Sequence, residues 1–257
     1  MSHWVEELQS RGRYTFTRAQ AESDTKRSFV AVQTALRRLK ERGRIVSPRR
    51  GFYVVVPPEY RATGAPPASW FIDDLMHHLR QPYYVGLLSA AAAHGAGHQQ
   101  PMVFQVVTSH PTRPMCVGKV AIHFSMSTRV ERFPVIDTAT ETGTMRVATP
   151  EVTAFDLVRF SGSAGHTSHV ATVLSELGER LDARALVAIA PLVRVPDVQR
   201  LGYLLDAVGH GEAAAPLAEW LRSQRPRAIP LHPGATGGVA PDRRWHVMAN
   251  VDVEVDG

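Results

Sequence analysis

The chain has little cysteine and no long apolar stretch, and both shortages narrow what it can be. Cys116 is the single cysteine among 257 residues, so neither an internal disulfide nor a cysteine-rich zinc site can form. No apolar run approaches the roughly 20 residues that span a bilayer, and the N-terminus has no apolar segment typical of a secretory signal. We therefore expect a cytoplasmic protein with no membrane partner.

The chain also lacks the short motifs of the common catalytic and nucleotide-binding sites. It has no P-loop, no H-E-x-x-H sequence and no dinucleotide fingerprint. Its composition, 44% hydrophobic and 21% charged, is that of a globular rather than a disordered chain. We therefore predict no catalytic residue, no cofactor and no metal, and a protein that is not an enzyme.

Positive charge is concentrated at the beginning of the chain. Residues 1–60 contain 12 basic and 6 acidic side chains, a net charge of +6, whereas the whole chain carries +5. The remaining residues are therefore close to neutral. Such asymmetry indicates a polyanionic partner for the first segment, or a basic surface that only meets solvent.

Residues 1–60 have the pattern of a small helical domain followed by a hairpin. Val5 and Leu8 predict a short first helix. The sequence from Thr17 to Gln20 fits a capping box and predicts a second helix through about Glu22. Residues 23–25 then predict a turn that caps the next helix.

The third predicted helix, over residues 26–43, carries most of the functional information. Its apolar side chains recur at spacings of three and four and predict one buried face: Phe29, Val32, Leu36 and Leu39. Small and basic side chains occupy the opposite face: Arg27, Ala31, Thr34 and Arg38, with Val30 and Arg37 beside them. A small residue permits close approach to a major groove, and arginine reaches base edges or phosphates.

A predicted β-hairpin follows this helix, with a basic tip at residues 48–51. Two short helices, a long helix and a hairpin are the elements of a winged helix-turn-helix, in which the hairpin is the wing. Arg27, Ala31, Thr34 and Arg38 would then face the major groove of double-stranded DNA. Four further side chains would contact phosphates: Lys26, Arg37, Arg49 and Arg50. A small protein-interaction domain is the alternative interpretation.

Beyond a connector rich in proline and glycine, the sequence predicts a larger α+β domain. We expect a DNA-binding domain at 1–60, a linker at 61–69 and a mixed α/β domain at 70–257. Predicted helices occupy 72–79 and 85–94, begin after Thr149, and include 170–177, 201–208 and 213–222. Predicted strands occupy 103–108, 117–124, 145–148 and 245–255.

Four groups of polar residues in this larger domain resemble sites only in part. Asp73, Asp74, His77 and His78 have a spacing that metal ligands can use, but the apolar pattern makes them a solvated helix face. Gly162–Gly165 with His166 and His169 does not match a nucleophile elbow and predicts a loop. Asp252 and Glu254 alternate as nucleotidyltransferase carboxylates do, although the rest of that motif is misplaced. His94 is expected to contact carbonyls at a helix end.

Three ordered stretches resemble the AbiEi family of antitoxins. They are Tyr83–Gly95, Ala148–Val158 and Gln199–Leu205, and the ending from Trp245 to Asp256 is also similar. The chain departs from the family at Ala91–Ala93, where bulkier residues are expected. The resemblance covers nearly the whole chain, after the predicted winged helix.

The resemblance implies a function and two partners. The N-terminal domain would bind inverted repeats in the promoter of its own operon and repress it. The larger domain would counter a nucleotidyltransferase-like toxin, AbiEii, in a type IV pair whose members need not form a stable complex. The family offers no catalytic residue to transfer. Two alternatives remain: a stand-alone transcription factor with a ligand-sensing domain, and a metal-dependent nucleotidyltransferase using Asp252 and Glu254.

Overall fold

The protein forms two compact units. The computed structural model describes residues 1–97, 101–235 and 239–253. Unit 1 comprises Met1–Tyr83, Met102–Thr128 and Asp137–Arg146, and unit 2 comprises Tyr84–Pro101, Arg129–Ile136 and Val147–Gly257. Residues 1–60 therefore share unit 1 with segments from much later in the chain. The domain limits at 60 and 70 stay a prediction.

In the described chain, helices and strands are mixed up to residue 148, and the α-helices from α6 to α11 then follow one another before the last two strands. The α-helices are α1 Ser2–Ser10, α2 Arg18–Thr25, α3 Phe29–Glu41, α4 Ile72–His78, α5 Leu87–Ala93, α6 Pro150–Arg159, α7 Ser161–Ala164, α8 Thr167–Leu177, α9 Ala183–Ile189, α10 Val195–Ala207 and α11 Gly211–Ser223. The strands are β1 Thr15–Thr17, β2 Ile45–Arg49, β3 Phe52–Val55, β4 Tyr83–Val85, β5 Val103–Thr108, β6 Met115–Val117, β7 Val120–Met126, β8 Val135–Thr140, β9 Gly143–Ala148, β10 Ile229–Pro230 and β11 Val247–Met248. This is the mixed α/β class that the sequence predicted.

The first elements of unit 1 follow the predicted order of three helices and a hairpin. β3 pairs with both β1 and β2 in antiparallel register and forms a three-stranded sheet. One apolar core joins this sheet to the three helices: Val5, Leu8, Phe16, Ala21, Val32, Leu36, Leu39, Ile45 and Val55. The predicted apolar face of α3 is therefore buried from Val32 onward.

Two details of the predicted second and third helices are wrong. The capping box at Thr17 forms as expected, but α2 continues to Thr25, whose hydroxyl bonds the Ala21 carbonyl at 2.6 Å. The residues expected to cap α3 therefore belong to α2, and Ser28 caps α3 instead. A left-handed residue, Lys26 with φ of 50°, separates the two helices.

The later part of unit 1 adds the strands β5, β6 and β7. β5 has the predicted limits and pairs in parallel with β7, while β6 pairs with β7 in antiparallel register. The predicted single strand at 117–124 is wrong because the chain turns at Gly118, whose φ is +58°. A Cβ there would lie 2.3 Å from the Thr63 carbonyl oxygen, so this close approach requires glycine.

Unit 2 is mainly helical and is built around α6. The residues from Glu151 to Val158 are all buried, and the Thr149 hydroxyl accepts from the Val152 amide at 3.4 Å, as predicted for a helix start. The Glu151 carboxylate accepts from the backbone amide of Asp182 at 3.0 Å, at the beginning of α9. An acidic residue expected at the start of one helix therefore also fixes the start of another.

Two other predictions for unit 2 need correction, and further elements were not predicted. The helix predicted from Val85 begins only at Leu87, because Val85 lies in β4 and pairs in parallel with Val147. The strand predicted at 245–255 is limited to β11 in the described residues. α9 and the strand β8 (which spans the boundary between the units) were not predicted. No helix in the described ranges is long and apolar enough to cross a membrane.

A glycine on α10 makes room for the largest buried side chain of unit 2. Trp245 is fully buried, and a Cβ on Gly202 would lie 2.1 Å from its ring. The indole nitrogen donates to Asp206 at 2.7 Å. Gly202 and Trp245 come from two separate stretches of the sequence, and here they pack against each other.

We expect the substitution Gly202→Ala to lower the free energy of unfolding by about 1–3 kcal/mol, because the new methyl group overlaps the indole ring. Gly162→Ala is the matched control: that position is helical and open, so its stability should stay equal or rise by up to about 1 kcal/mol. Urea unfolding followed by tryptophan fluorescence measures both. Equal stabilities for the two variants would contradict the packing assignment.

Candidate nucleic-acid interface

α3 presents one face to the core of unit 1 and the other to solvent. Val32, Leu36 and Leu39 are at most 4% exposed. The Ser28 hydroxyl accepts from the Ala31 amide at 3.4 Å and fixes where the helix begins. The opposite face is thereby held at the surface along the length of the helix.

Most of the predicted DNA contacts on α3 lie on this outer face. Ala31, Arg37 and Arg38 are exposed, and Thr34 is half-buried. The Arg37 guanidinium lies 3.8 Å from the carboxylate of Glu41, and both side chains are largely exposed. Such a pair contributes little to stability in water, so Arg37 can exchange its partner at little cost.

The prediction that Arg27 belongs to the face of this helix is wrong. Ser28 is the N-cap, and the chain turns through Lys26 in the left-handed conformation just before it. Lys26 and Arg27 are therefore exposed loop residues next to the N-terminus of α3. Their charges add to the positive end of the helix dipole.

Two apolar side chains lie on the outer surface: Val30, which was predicted beside the outer face but not as a contact, and Phe29, which was predicted to be buried. Phe29 is 48% exposed and Val30 is 68% exposed. Periodicity assigned Phe29 to the core, but it is the first residue of the helix and lies against the Arg18 guanidinium, 4.7 Å from the ring centroid. Recognition of Ser28 as the cap was the available signal, since it places Phe29 in the first turn.

The tip of the hairpin between β2 and β3 is held by other segments of unit 1. The Arg49 guanidinium donates to the Arg113 carbonyl at 2.9 Å. The imidazole Nε2 of His78 lies 3.2 Å from the Arg50 carbonyl oxygen, while the Arg50 side chain is exposed. Arg50 therefore has its charge at the surface, whereas Arg49 would have to release a backbone contact to meet another partner.

A groove of about 580 Å³ lies beside α3. Its walls combine basic, polar and aromatic side chains: Gln33, Thr34, Leu36, Arg37, Lys40, Glu41 and Tyr53. The groove is open to solvent and adds Lys40 to the basic residues around the helix. Sequence reasoning did not select Lys40.

The acidic and histidine residues of α4 form a solvated face only in part: Asp74 and His77 are exposed, as predicted, whereas Asp73 and His78 are half-buried. Asp73 accepts from the Tyr83 hydroxyl at 2.7 Å, Asp74 accepts from Thr15, and the His78 ring lies 5.4 Å from that of Phe52. His77 is mostly exposed and contacts Asp73 at 3.2 Å. Among the described residues, no cluster of three acidic, histidine or cysteine side chains is suited to hold a metal ion.

The other polar groups chosen from the sequence lie in unit 2, and each has a separate structural role. His94 contacts the Ala148 carbonyl oxygen at 2.7 Å, in strand β9 rather than at its own helix end. Residues 161–164 form the short helix α7 instead of a loop. The backbone carbonyl of Asp252 accepts from Ser168 at 3.5 Å, and Glu254 lies outside the described residues.

A buried carboxyl group in unit 2 was not predicted as a notable residue. Burial raises the pKa of Asp156 to about 7, although the Tyr84 hydroxyl and the Arg159 charge oppose the rise. Burial also raises the pKa of Tyr84. Perturbed groups of this kind occur at functional sites and in buried structural networks alike. Asp156 is buried on α6, the central helix of unit 2, and this burial is the main cause of its raised pKa.

Two family models match the chain. The model described as AbiEi antitoxin C-terminal domain matches residues 84–207, and the model described as transcriptional regulator, AbiEi antitoxin, matches residues 5–56. No match was found among curated proteins. The crystal structure of the RV2827C protein from Mycobacterium tuberculosis is similar, with a TM-score of 0.67 and 15% identity over 96% of this chain and 89% of that one. At this identity the likeness concerns the fold alone.

Proposed function

Because the chain belongs to the AbiEi family of antitoxins and transcriptional regulators, we propose that it is the antitoxin of a bacterial toxin–antitoxin pair and represses its own promoter. The regulator model covers the elements from α1 to β3, and the antitoxin model covers most of unit 2. We assign DNA binding to the first region and toxin counteraction to the second. No catalytic step is assigned to either.

The exposed, basic outer face of α3 is the observation that supports DNA binding most strongly. It lies opposite a fully buried apolar face, so it stays at the surface without reorganisation. We propose that α3 enters the major groove of double-stranded DNA with Ala31, Thr34 and Arg38 toward the bases. The proposed phosphate contacts are Lys26, Arg27, Arg37, Arg49 and Arg50. Arg27 joins this group because it lies in the loop before the helix.

The toxin is proposed to be a nucleotidyltransferase-like protein, as the family resemblance implies. Counteraction by the AbiEi type does not require a stable complex between the two proteins. Inverted repeats in the promoter would give two half-sites, each accepting one copy of the regulator region. DNA binding and toxin counteraction are then separable by substitutions on α3.

The salt dependence of DNA binding tests the hairpin tip. Binding to the chain's own upstream DNA should be tight, selective over unrelated DNA and steeply salt-dependent. The double substitution Arg49→Gln and Arg50→Gln should weaken binding to both DNAs and lower the salt slope by about 1.8, since each lost phosphate contact changes it by about 0.9. Fluorescence anisotropy across a salt series measures the slope.

The charge-matched control for that experiment is the pair Arg11→Gln and Arg13→Gln, which are exposed residues beyond the end of α1. This pair should leave the slope within about 0.5 of the parent value. Equal slopes for the two double variants would remove the hairpin tip from the interface. No selectivity of the parent chain for its own DNA would remove promoter repression.

The exposed apolar side chain of Val30 predicts a thymine in the sequence that is read. Apolar side chains in the major groove contact the thymine methyl group. Replacing that thymine by deoxyuridine should weaken binding about fourfold, as expected for one buried methyl-sized group. Val30→Ala should bind thymine and deoxyuridine operators equally, whereas Gln33→Ala, a control on the next turn of the helix, should keep the fourfold difference. A scan in which no deoxyuridine affects the parent chain would contradict this contact.

Toxin counteraction is tested by growth of cells that express the adjacent toxin from an unrelated promoter. The parent chain should restore growth. A variant carrying Thr34→Ala and Arg38→Gln should lose operator selectivity but still restore growth, because unit 2 is unchanged. Equal protein levels, checked by immunoblotting, are the control. Failure of the parent chain to restore growth would contradict the antitoxin assignment without affecting the DNA-binding tests.

A further inference from the structure

Three arginine side chains converge on a small cavity within unit 2. The cavity has a volume of about 100 Å³ and lies among α6, α8, α10 and the segment after β10. Its charged and titratable lining consists of Arg159, Arg194, Arg200, Asp197 and His232, and Ser161 and Thr167 add hydroxyl groups. None of these residues was selected from the sequence.

The single carboxylate in the lining is shared between two of the arginines. Arg194 donates to both oxygens of Asp197, at 3.0 and 3.2 Å, and Arg200 lies 3.9 Å from one of them. Asp197 itself is 1% exposed. The charged groups of the lining therefore sum to +2 when His232 is neutral. Asp197 and Arg200 are largely shielded from water, whereas the Arg194 side chain is 71% exposed.

The guanidinium of Arg200 is held in place, and those of Arg159 and Arg194 have neighbours that orient them. Arg200 is fixed by its Nε, which donates to the carbonyls of Pro230 and Leu231 at 3.2 and 3.0 Å. The Arg159 guanidinium lies 4.8 Å from the centroid of the Phe160 ring. Asp197 orients Arg194 through its two bonds. Part of the entropy cost of ordering long side chains around a ligand, above all that of Arg200, is therefore already met.

The neighbouring helix adds to the positive potential of the cavity. Thr167 is the first residue of α8, an 11-residue helix whose N-cap, His166, makes no side-chain cap bond. Its first amides therefore carry the partial positive charge of a helix N-terminus. Asp156 lies on the same helix as Arg159, and because its pKa is raised to about 7 it carries only part of a negative charge at neutral pH.

We propose that this cavity binds a terminal phosphate group, either as inorganic phosphate or at the end of a phosphomonoester. A doubly charged phosphate matches the charge of the lining, and arginine binds phosphate oxygens through paired N–H groups. Pockets for larger organic ligands have volumes of about 300–1,000 Å³. The cavity is smaller than these and fits a single phosphate, with any attached group outside.

Isothermal titration of the full chain with inorganic phosphate tests the proposal, with sodium chloride used to keep the ionic strength constant. Saturable binding at one site per chain is expected. Arg159→Gln should weaken it at least about tenfold, since a charge-assisted pair is lost. Arg184→Gln is the matched control, because Arg184 is exposed on α9 and does not line the cavity; its affinity should stay within about twofold of the parent.

Further arms distinguish the source of the phosphate and guard against misfolding. Uridine 5′-monophosphate should bind and uridine should not, while a short oligonucleotide without terminal phosphates should bind at least about tenfold more weakly. If Arg159→Gln fails to fold by circular dichroism, Arg159→Lys, which keeps the charge but loses the paired N–H groups, should still show weakened binding. The proposal would be overturned if phosphate showed no saturable binding, or if the Arg159 variants bound phosphate as tightly as the parent chain. Binding of the oligonucleotide without binding of phosphate would also overturn it. Arg159 lies in unit 2, outside the proposed DNA-binding face of unit 1, so the loss of phosphate binding in the Arg159 variants is independent of the proposed function.

Discussion

Burial of one face of α3 is the constraint on which the proposed interface depends. Val32, Leu36 and Leu39 have almost no exposed surface, and a helix that rotated about its axis would bring basic side chains into that core at high cost. The residues on the opposite side of α3 are consequently held facing solvent. The positive charge of the first 60 residues thus becomes a surface of defined shape.

Arginine is used in two different ways in the two units. On the outer face of α3, Arg37 and Arg38 are exposed, and the one carboxylate near Arg37 is itself at the surface. In unit 2, two backbone carbonyls hold the largely buried Arg200, and a buried aspartate accepts two bonds from the more exposed Arg194. The first arrangement favours an extended partner that displaces water and counterions. The second favours a small anion that fits a site prepared in advance.

Elements determined by neighbouring residues could be predicted from the sequence, whereas elements determined by contacts with distant residues could not. The start of α6 was predicted from Thr149 and Pro150, and the buried face of α3 from Val32 onward was predicted from its apolar periodicity, whereas the cap of α3 at Ser28 was missed. The turn at Gly118 is required by contact with residues 63–65, which no local pattern reveals. The site followed the same rule. Ala31, Thr34 and Arg38 could be placed from helix geometry, whereas the exposure of Phe29 and the cavity lined by Arg159 arise from tertiary packing.

Because unit 2 needs the contact between Gly202 and Trp245, its packing can be completed only after nearly the whole chain has been synthesised, whereas all residues of unit 1 are available earlier. Unit 1 contains no residue beyond Arg146, so all of its residues leave the ribosome more than 90 positions before Trp245 does. Until then α10 carries an unfilled gap at Gly202, and Asp206 lacks its indole donor. A chain interrupted between these points would hold every residue of the proposed DNA-binding surface but an incompletely packed unit 2. In a shortened product of this kind, the surface proposed to bind DNA would be complete, whereas the unit to which toxin counteraction is assigned would not be.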